Sequence, residues 1–245
     1  MNNSEQKHLI IIGAQRSGST FLHALLDKHV DIYMARPVNP EPKYFLRENS
    51  NLNEYRNTVF AGAPKSKLYL GEKSTSYYEK PEVAGRIKSM IPDAKLVVVL
   101  RNPVNRAISN FTFSTSSGLE TRSMEQAFLL GVDEPSYSGT ISVNPFAYMS
   151  RGDYLPLLTP YKQLFGNNLH VVLFEELVTG EDLSGLYDFL SLETPSRESA
   201  EEVERNASEP LEAPKSVTEF LEDHFSPRIE ALERVFDLDL SAWKH

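Results

Sequence analysis

Lys95–Leu100 reads KLVVVL, a strand-length run without polar alternation, and it constrains the fold more than any other segment. A strand with one wet face alternates apolar and polar residues. One that does not is covered on both faces, as in a parallel sheet whose crossover helices lie above and below it. Its β-branched valines also favour extended backbone. His8–Ile12, closed by Gly13, and Leu169–Phe174 read the same way, and Leu68–Leu70 before Gly71 is a shorter candidate strand. Between these runs the apolar spacing becomes helical. Helices are expected over Thr20–His29, with Phe21, Leu22, Leu25 and Leu26 at helical spacing, and over Pro81–Met90, Pro103 to about Phe113, Tyr154–Phe165, Leu183–Leu190 and Val217–Phe236. Pro81 and Pro103 suit the first turn of a helix, and Asn102 suits an N-cap. Strands alternating with helices give an α/β fold, a central parallel β-sheet flanked by helices.

The 245 residues suffice to bury roughly 70–75% of the unfolded surface, and a single domain over 1–245 is expected. Two stretches stand apart. Residues 114–151 dissolve into Ser, Thr, Gly and Pro with interspersed aromatics, the composition of a substrate loop or lid. Residues 193–245 form an acidic, helical C-terminal region with 14 acidic and 6 basic residues, against 20 and 19 in residues 1–192. The net charge of −9 argues against non-specific nucleic-acid binding, which needs Lys and Arg to neutralise phosphates. The basic and acidic residues before 193 nearly balance, which leaves room for a local anion pocket. With no cysteine there is no disulfide, thiolate metal site or cysteine nucleophile. His23 and His29 are six apart and do not share a helix face, so no metal site is expected. The longest apolar run, Leu9–Ile12, is far below the ~20 residues that span a bilayer. Residues 1–8 lack the apolar core of a secretory signal, and a cytoplasmic location is expected.

Gly13-Ala14-Gln15-Arg16-Ser17-Gly18-Ser19-Thr20 joins the first strand to the first helix. A tight strand-to-helix loop aims backbone N–H groups at one point, and the helix dipole adds positive potential there. Such a loop binds phosphate-like anions, and Ser17, Ser19 and Thr20 add hydroxyl donors. In the nucleotidase pattern G-x-x-x-x-G-K-[ST] the position before Thr20 is lysine, whereas here it is Ser19, and the only cation of the loop is Arg16. Glu175 and Glu176 are the only acidic residues that follow a strand end in the manner of a magnesium ligand. A P-loop kinase or nucleotidase with a displaced cation is therefore one alternative, and a non-catalytic nucleotide-binding relative is another.

Arg101-Asn102-Pro103-Val104-Asn105-Arg106-Ala107-Ile108-Ser109 follows the strongest strand, whose C-terminal end faces the ligand crevice of a parallel sheet. Arg101 sits at that end. Arg106 and Ser109 share a helix face, where they suit either a second phosphate or, for Arg106, a surface ion pair.

These two segments resemble the two signatures of sulfotransferases that use 3′-phosphoadenosine 5′-phosphosulfate (PAPS) and release adenosine 3′,5′-bisphosphate (PAP). Gln15 stands for the family's usual proline and Arg16 for its usual lysine. The resemblance implies that Arg16, Ser17, Gly18, Ser19 and Thr20 cradle the 5′-phosphosulfate, with Arg16 near the bridging oxygen, and that Arg101 and Ser109 bind the 3′-phosphate. Gly71-Glu72-Lys73-Ser74-Thr75-Ser76-Tyr77-Tyr78 resembles the E-K-[ST]-x-x-Y-F element of the heparan-sulfate-type branch. That likeness implies Glu72 as general base, with Lys73 orienting Glu72 or the sulfonate. No histidine lies between His29 and His170, so the histidine base of the phenol and steroid branch has no counterpart there. Pro40-Glu41-Pro42-Lys43-Tyr44-Phe45 is similar to K-E-P-[HK]-[FY]-F, with Pro40 where the lysine would stand and Lys43 the nearest replacement. The late basic loop of the family has only Arg205 and Lys215 as counterparts over Val203–Lys215, and Lys215 is taken as the cofactor contact. Ser150-Arg151-Gly152-Asp153-Tyr154 and the closing Trp243 also resemble family elements. The acceptor implied is a small molecule or carbohydrate hydroxyl, since a carboxylate base favours an alcohol over an acidic phenol.

Overall fold

The computed structural model describes residues 6–49, 51–130, 134–138, 143–179, 183–195 and 211–244. Its strands are β1 (Lys7–Gly13), β2 (Ile32–Met34), β3 (Tyr69–Lys73), β4 (Lys95–Leu100) and β5 (Leu169–Leu173). Its helices are α1 (Ser19–Asp27), α2 (Leu52–Val59), α3 (Pro81–Met90), α4 (Pro103–Ser116), α5 (Met124–Phe128), α6 (Tyr154–Phe165), α7 (Phe174–Thr179), α8 (Ser184–Leu190) and α9 (Lys215–Phe236).

The sheet order is β2-β3-β1-β4-β5 and every pairing is parallel. β1 and β4 sit at its centre. After Lys7 every residue of β1 is buried, and after Lys95 every residue of β4 is, as their unalternating sequences require. The chain leaves β1 toward β2 and β3, then returns to the other side of β1 with β4 and β5. Such a reversal leaves a crevice outside the carboxyl ends of β1 and β4, where doubly wound sheets bind their ligands.

Two compact units divide the described residues: up to Leu100 and again from Leu158 through 195, and from Arg101 to Leu157 and again from 211. The first holds the sheet. Leu9, Ile11, Val97 and Val99 on one face pack with Leu22, Leu25 and Leu26 of α1 and with Leu177, Leu186 and Leu190 of α7 and α8. Alone, a nine-residue helix such as α1 is marginal in water. Its three leucines, each at most 4% exposed, contribute roughly 5–9 kcal/mol by burial before entropy is counted. The second unit is helical. In α4 the Asn102 side chain caps the amides of Val104 and Asn105, with Pro103 in the first turn. α9 buries Val217, Leu221, Phe225, Ile229 and Leu232 at helical spacing. Phe225 lies against Gly152, where an added Cβ would come 2.7 Å from its Cζ.

The differences from the sequence reading have local causes. β2 is three residues long, too short for a pattern. α2 reads LNEYRNTV and buries only Tyr55 and Val59, so its periodicity is faint and only its cap, Asn51, marks it. Phe174 begins α7 instead of ending β5. Within 114–151, α4 extends to Ser116 and α5 opens with a Ser123–Gln126 capping box. Residues 131–133 and 139–142 of that stretch lie outside the described residues. Among the described residues no helix is long and apolar enough to cross a membrane.

Candidate active site

The loop after β1 has the geometry of an anion cradle. The Ala14 amide donates to the Val99 carbonyl at 2.9 Å and ties the loop to β4. Arg16 (φ +66°) and Gly18 (φ +85°) are left-handed, and Gly18 is the N-cap of α1 without a side-chain cap bond. The first helical bond of α1 runs from the Leu22 amide to the Gly18 carbonyl, so the amides of Ser19, Thr20 and Phe21 lie ahead of it, at the dipole's positive end. Glycine is needed at 18 twice over, since a Cβ there would also fall 2.8 Å from Phe174 Cδ2. Gly13 admits the Tyr78 ring, whose Cδ1 would lie 2.4 Å from an added Cβ.

Ser17 is wholly buried in this loop and its Oγ has no hydrogen-bond partner. A buried hydroxyl without a partner costs free energy unless something else meets it. Ser76 Oγ is in the same condition, in the segment whose Ser74 and Tyr78 amides bond the Ile11 and Ile12 carbonyls of β1. The loop therefore fits an anionic group, with Arg16 as its cation and Ser17, Ser19 and Thr20 as hydroxyl donors.

The two carboxylates near the carboxyl ends of β1 and β3 have different surroundings. Glu72 is fully buried in β3. Tyr55 and Tyr77 donate to its Oε1 at 3.1 and 3.2 Å, and Ser74 Oγ donates to its Oε2 at 2.9 Å. Burial raises its pKa from 4.5 to about 7, against the three hydroxyl bonds, with the charge of Glu41 adding to the rise. Sequence reasoning placed Glu72 at the crevice; the fold places it behind a shell of hydroxyls, paired with neither Lys73 nor Arg16. Lys73, also buried, instead bonds Glu41 Oε1 at 2.7 Å. Thr75 completes this second site, its amide donating to Glu41 Oε2 at 3.0 Å and its Oγ1 approaching Oε1 at 2.9 Å. The Glu41 side chain is 9% exposed. Lys73 is in register with Ile11, two residues before the phosphate loop begins at Gly13. His23 of α1 is held below 6.5 mainly by burial, and the Lys73 charge adds to that effect, so the ion pair borders the loop's helix.

Glu41 is thus the residue that sequence reasoning missed. Its signal is its place at the glutamate of the segment similar to K-E-P-[HK]-[FY]-F, Pro40-Glu41-Pro42-Lys43-Tyr44-Phe45.

In the helical unit, the Tyr154 hydroxyl donates to the Arg101 carbonyl at 2.7 Å, which steadies the start of the second motif. Arg101 and Ser109 are partly exposed. Arg106 fits neither of its two expected roles. It is completely buried, and its guanidinium bonds Asn110 Oδ1 and the Tyr148 carbonyl, so it supports the backbone there. Phe111, Phe128 and Tyr148 pack as tilted and edge-on rings at 5.4–5.9 Å, and Phe111 and Tyr148 are buried core residues, while Phe113 is 47% exposed. Lys215 opens α9 with its side chain 90% exposed, in an ion pair with Glu219. Arg205 lies outside the described residues.

Residues 6–222 match the family described as the sulfotransferase domain. Among curated relatives, heparan sulfate glucosamine 3-O-sulfotransferase 3B1 of Mus musculus is 37% identical over 117 residues, 47% of this chain and 29% of that protein. A bifunctional heparan sulfate N-deacetylase/N-sulfotransferase 1 of Caenorhabditis briggsae is 36% identical over 107 residues, 42% of this chain and 12% of that protein. The matched stretch is under a third of the length of either relative. A solved sulfotransferase from Alicyclobacillus acidocaldarius is 25% identical, with a TM-score of 0.74 over 97% of this chain and 98% of that one. Because the family match runs through the phosphate loop, both carboxylates and the helix after β4, the chain belongs to the sulfotransferase domain family.

Proposed function

We propose that this chain moves a sulfuryl group from PAPS to an acceptor hydroxyl and releases PAP. The observation that carries the reading is a lysine-free phosphate loop beside a carboxylate bonded to a buried lysine, Glu41–Lys73. Bound PAPS supplies the activated sulfuryl group. Arg16 and the amides at the start of α1 hold the phosphosulfate and stabilise charge on the leaving oxygen. Arg101 and Ser109 bind the 3′-phosphate, with exposed Lys215 as an outer contact.

Sequence gives proton abstraction to Glu72, but exposure favours Glu41. A general base must come within hydrogen-bond reach of the proton it takes. Both carboxylates are hydrogen-bonded, Glu72 to interior hydroxyls and Glu41 to Lys73 and Thr75, but the Glu41 side chain keeps 9% exposure whereas Glu72 has none. Glu41 accepts the acceptor's hydroxyl proton as the new oxygen–sulfur bond forms and the bond from sulfur to the bridging oxygen breaks. Lys73, bonded to it at 2.7 Å, aims Glu41. A carboxylate base suits an alcohol acceptor, on a small molecule or a carbohydrate. A cytoplasmic location and a single domain with an acceptor loop over 114–151 belong to the same proposal.

The test is incubation with PAPS and pooled hydroxyl acceptors, read as an ~80 Da mass gain, for wild type, Glu41→Gln and Glu72→Gln. Glu41→Gln is expected to lose turnover at least about 10³-fold while PAP affinity stays within about twofold. Full activity in that variant would remove Glu41 as the base, and no mass gain across a broad acceptor panel would remove the reaction.

A further inference from the structure

The hydroxyls around Glu72 lead to one short segment. Ser74 Oγ, which donates to Glu72, accepts from the Lys43 amide at 2.9 Å. The Tyr77 hydroxyl, which also donates to Glu72, accepts from the Phe45 amide at 3.1 Å. Two relays, each amide to hydroxyl to carboxylate, therefore join one buried acid to residues 43 and 45. In its ionised form the Glu72 carboxylate only accepts, so it draws both hydroxyl protons toward itself and leaves their lone pairs for the amides. From the other side, Arg86 Nη1 donates to the Phe45 and Leu46 carbonyls at 3.1 Å each. The segment needs such holding, because Lys43 is left-handed at φ +50°, a conformation that non-glycine residues keep only where their surroundings impose it. Glu41 lies two residues upstream.

We propose that Glu72 is a positioning residue. Through Ser74 and Tyr77 it fixes the Lys43–Phe45 backbone, and so it sets where the Glu41 carboxylate meets Lys73 and Thr75. This rests on the reading of Glu41 as the base, and it gives the buried acid of β3 a task that its burial permits.

The test combines amide hydrogen exchange, which needs no turnover, with kcat and PAP affinity. Ser74→Ala is expected to speed exchange at Lys43, and Tyr77→Phe at Phe45, each by about tenfold. Glu72→Ala speeds both. Glu72→Gln, which keeps the shape and one acceptor oxygen, speeds them less and retains several-fold more kcat than Glu72→Ala, with PAP affinity unchanged in all four variants. Unchanged exchange at both amides in the Glu72 variants overturns the proposal. So does equal inactivity of Glu72→Gln, Glu72→Ala and Glu41→Gln, which would make Glu72 the base. Should Glu72→Ala not fold, Ser74→Ala and Tyr77→Phe decide by the same exchange readout. Faster exchange without sulfonation of any acceptor would uphold the positioning role and sink the proposed reaction, so the two failures are separable.

Discussion

Raising the pH from 4.5 to 8 should withdraw stability from the wild-type chain that Glu72→Gln does not lose. Burial lifts the Glu72 carboxyl from 4.5 to about 7, against the bonds from Ser74, Tyr55 and Tyr77. The folded acid therefore keeps its proton to higher pH than the unfolded acid does. Its stabilising contribution is complete below 4.5 and disappears as the pH climbs through 7. At about 1.4 kcal/mol per pH unit, that interval is worth about 3 kcal/mol. His8, whose ring lies 5.5 Å from that of Tyr55, works the other way. Burial, then Arg56, lowers it from 6.5 to about 4, so its contribution is lost as pH falls below 6.5. The two slopes oppose each other, and the wild-type curve alone will look flat. The difference between wild type and Glu72→Gln cancels His8 and isolates the acid. For a chain of this size about 3 kcal/mol corresponds to roughly 6–12 °C in Tm. Urea unfolding of both proteins across pH 4.5–8 measures it directly. A difference that stays constant within about 0.5 kcal/mol would refute the argument that burial holds this proton.

Gly18→Ala combines a left-handed backbone with a 2.8 Å approach to Phe174, and should destabilise by about 2–4 kcal/mol and weaken PAP binding. Gly62→Ala, at φ +80° with nothing within 4 Å of an added Cβ, should cost only the backbone part, about 1–2 kcal/mol; urea midpoints compare the two. Arg101→Ala should raise the calorimetric Kd for PAP by about 10–100-fold, as loss of a charge-assisted phosphate contact does. Lys215→Ala, which removes a 90% exposed lysine, should change that Kd by less than about threefold.

How far the sequence was legible depends on how local each feature is. β1, β4, α3 and α6 were readable because their apolar patterns are contiguous, and Pro81 marks the start of α3. The loop from Gly13 to Thr20 was readable for the same reason. Arg106 was misjudged because helical spacing shows which residues share a face, but not whether that face is covered; here the Tyr148 carbonyl and Asn110 enclose it. α2 was missed because its polar sequence hides two buried residues, and one of these, Tyr55, supplies a hydroxyl to Glu72.

Residues adjacent in the chain thus determine the parallel sheet, the phosphate loop and the family resemblance, since hydrogen-bonding needs and strand burial are written in short runs. Which acid does which work was decided only in three dimensions. Glu41 and Glu72 are both acids in motif-like segments in one dimension, yet their exposure depends on Tyr55 of α2, Lys73 of β3, and Ser74 and Tyr77 of the loop that follows β3. Burial is a property of the packed neighbours, and it leaves Glu72 with no exposure while the Glu41 side chain keeps 9%.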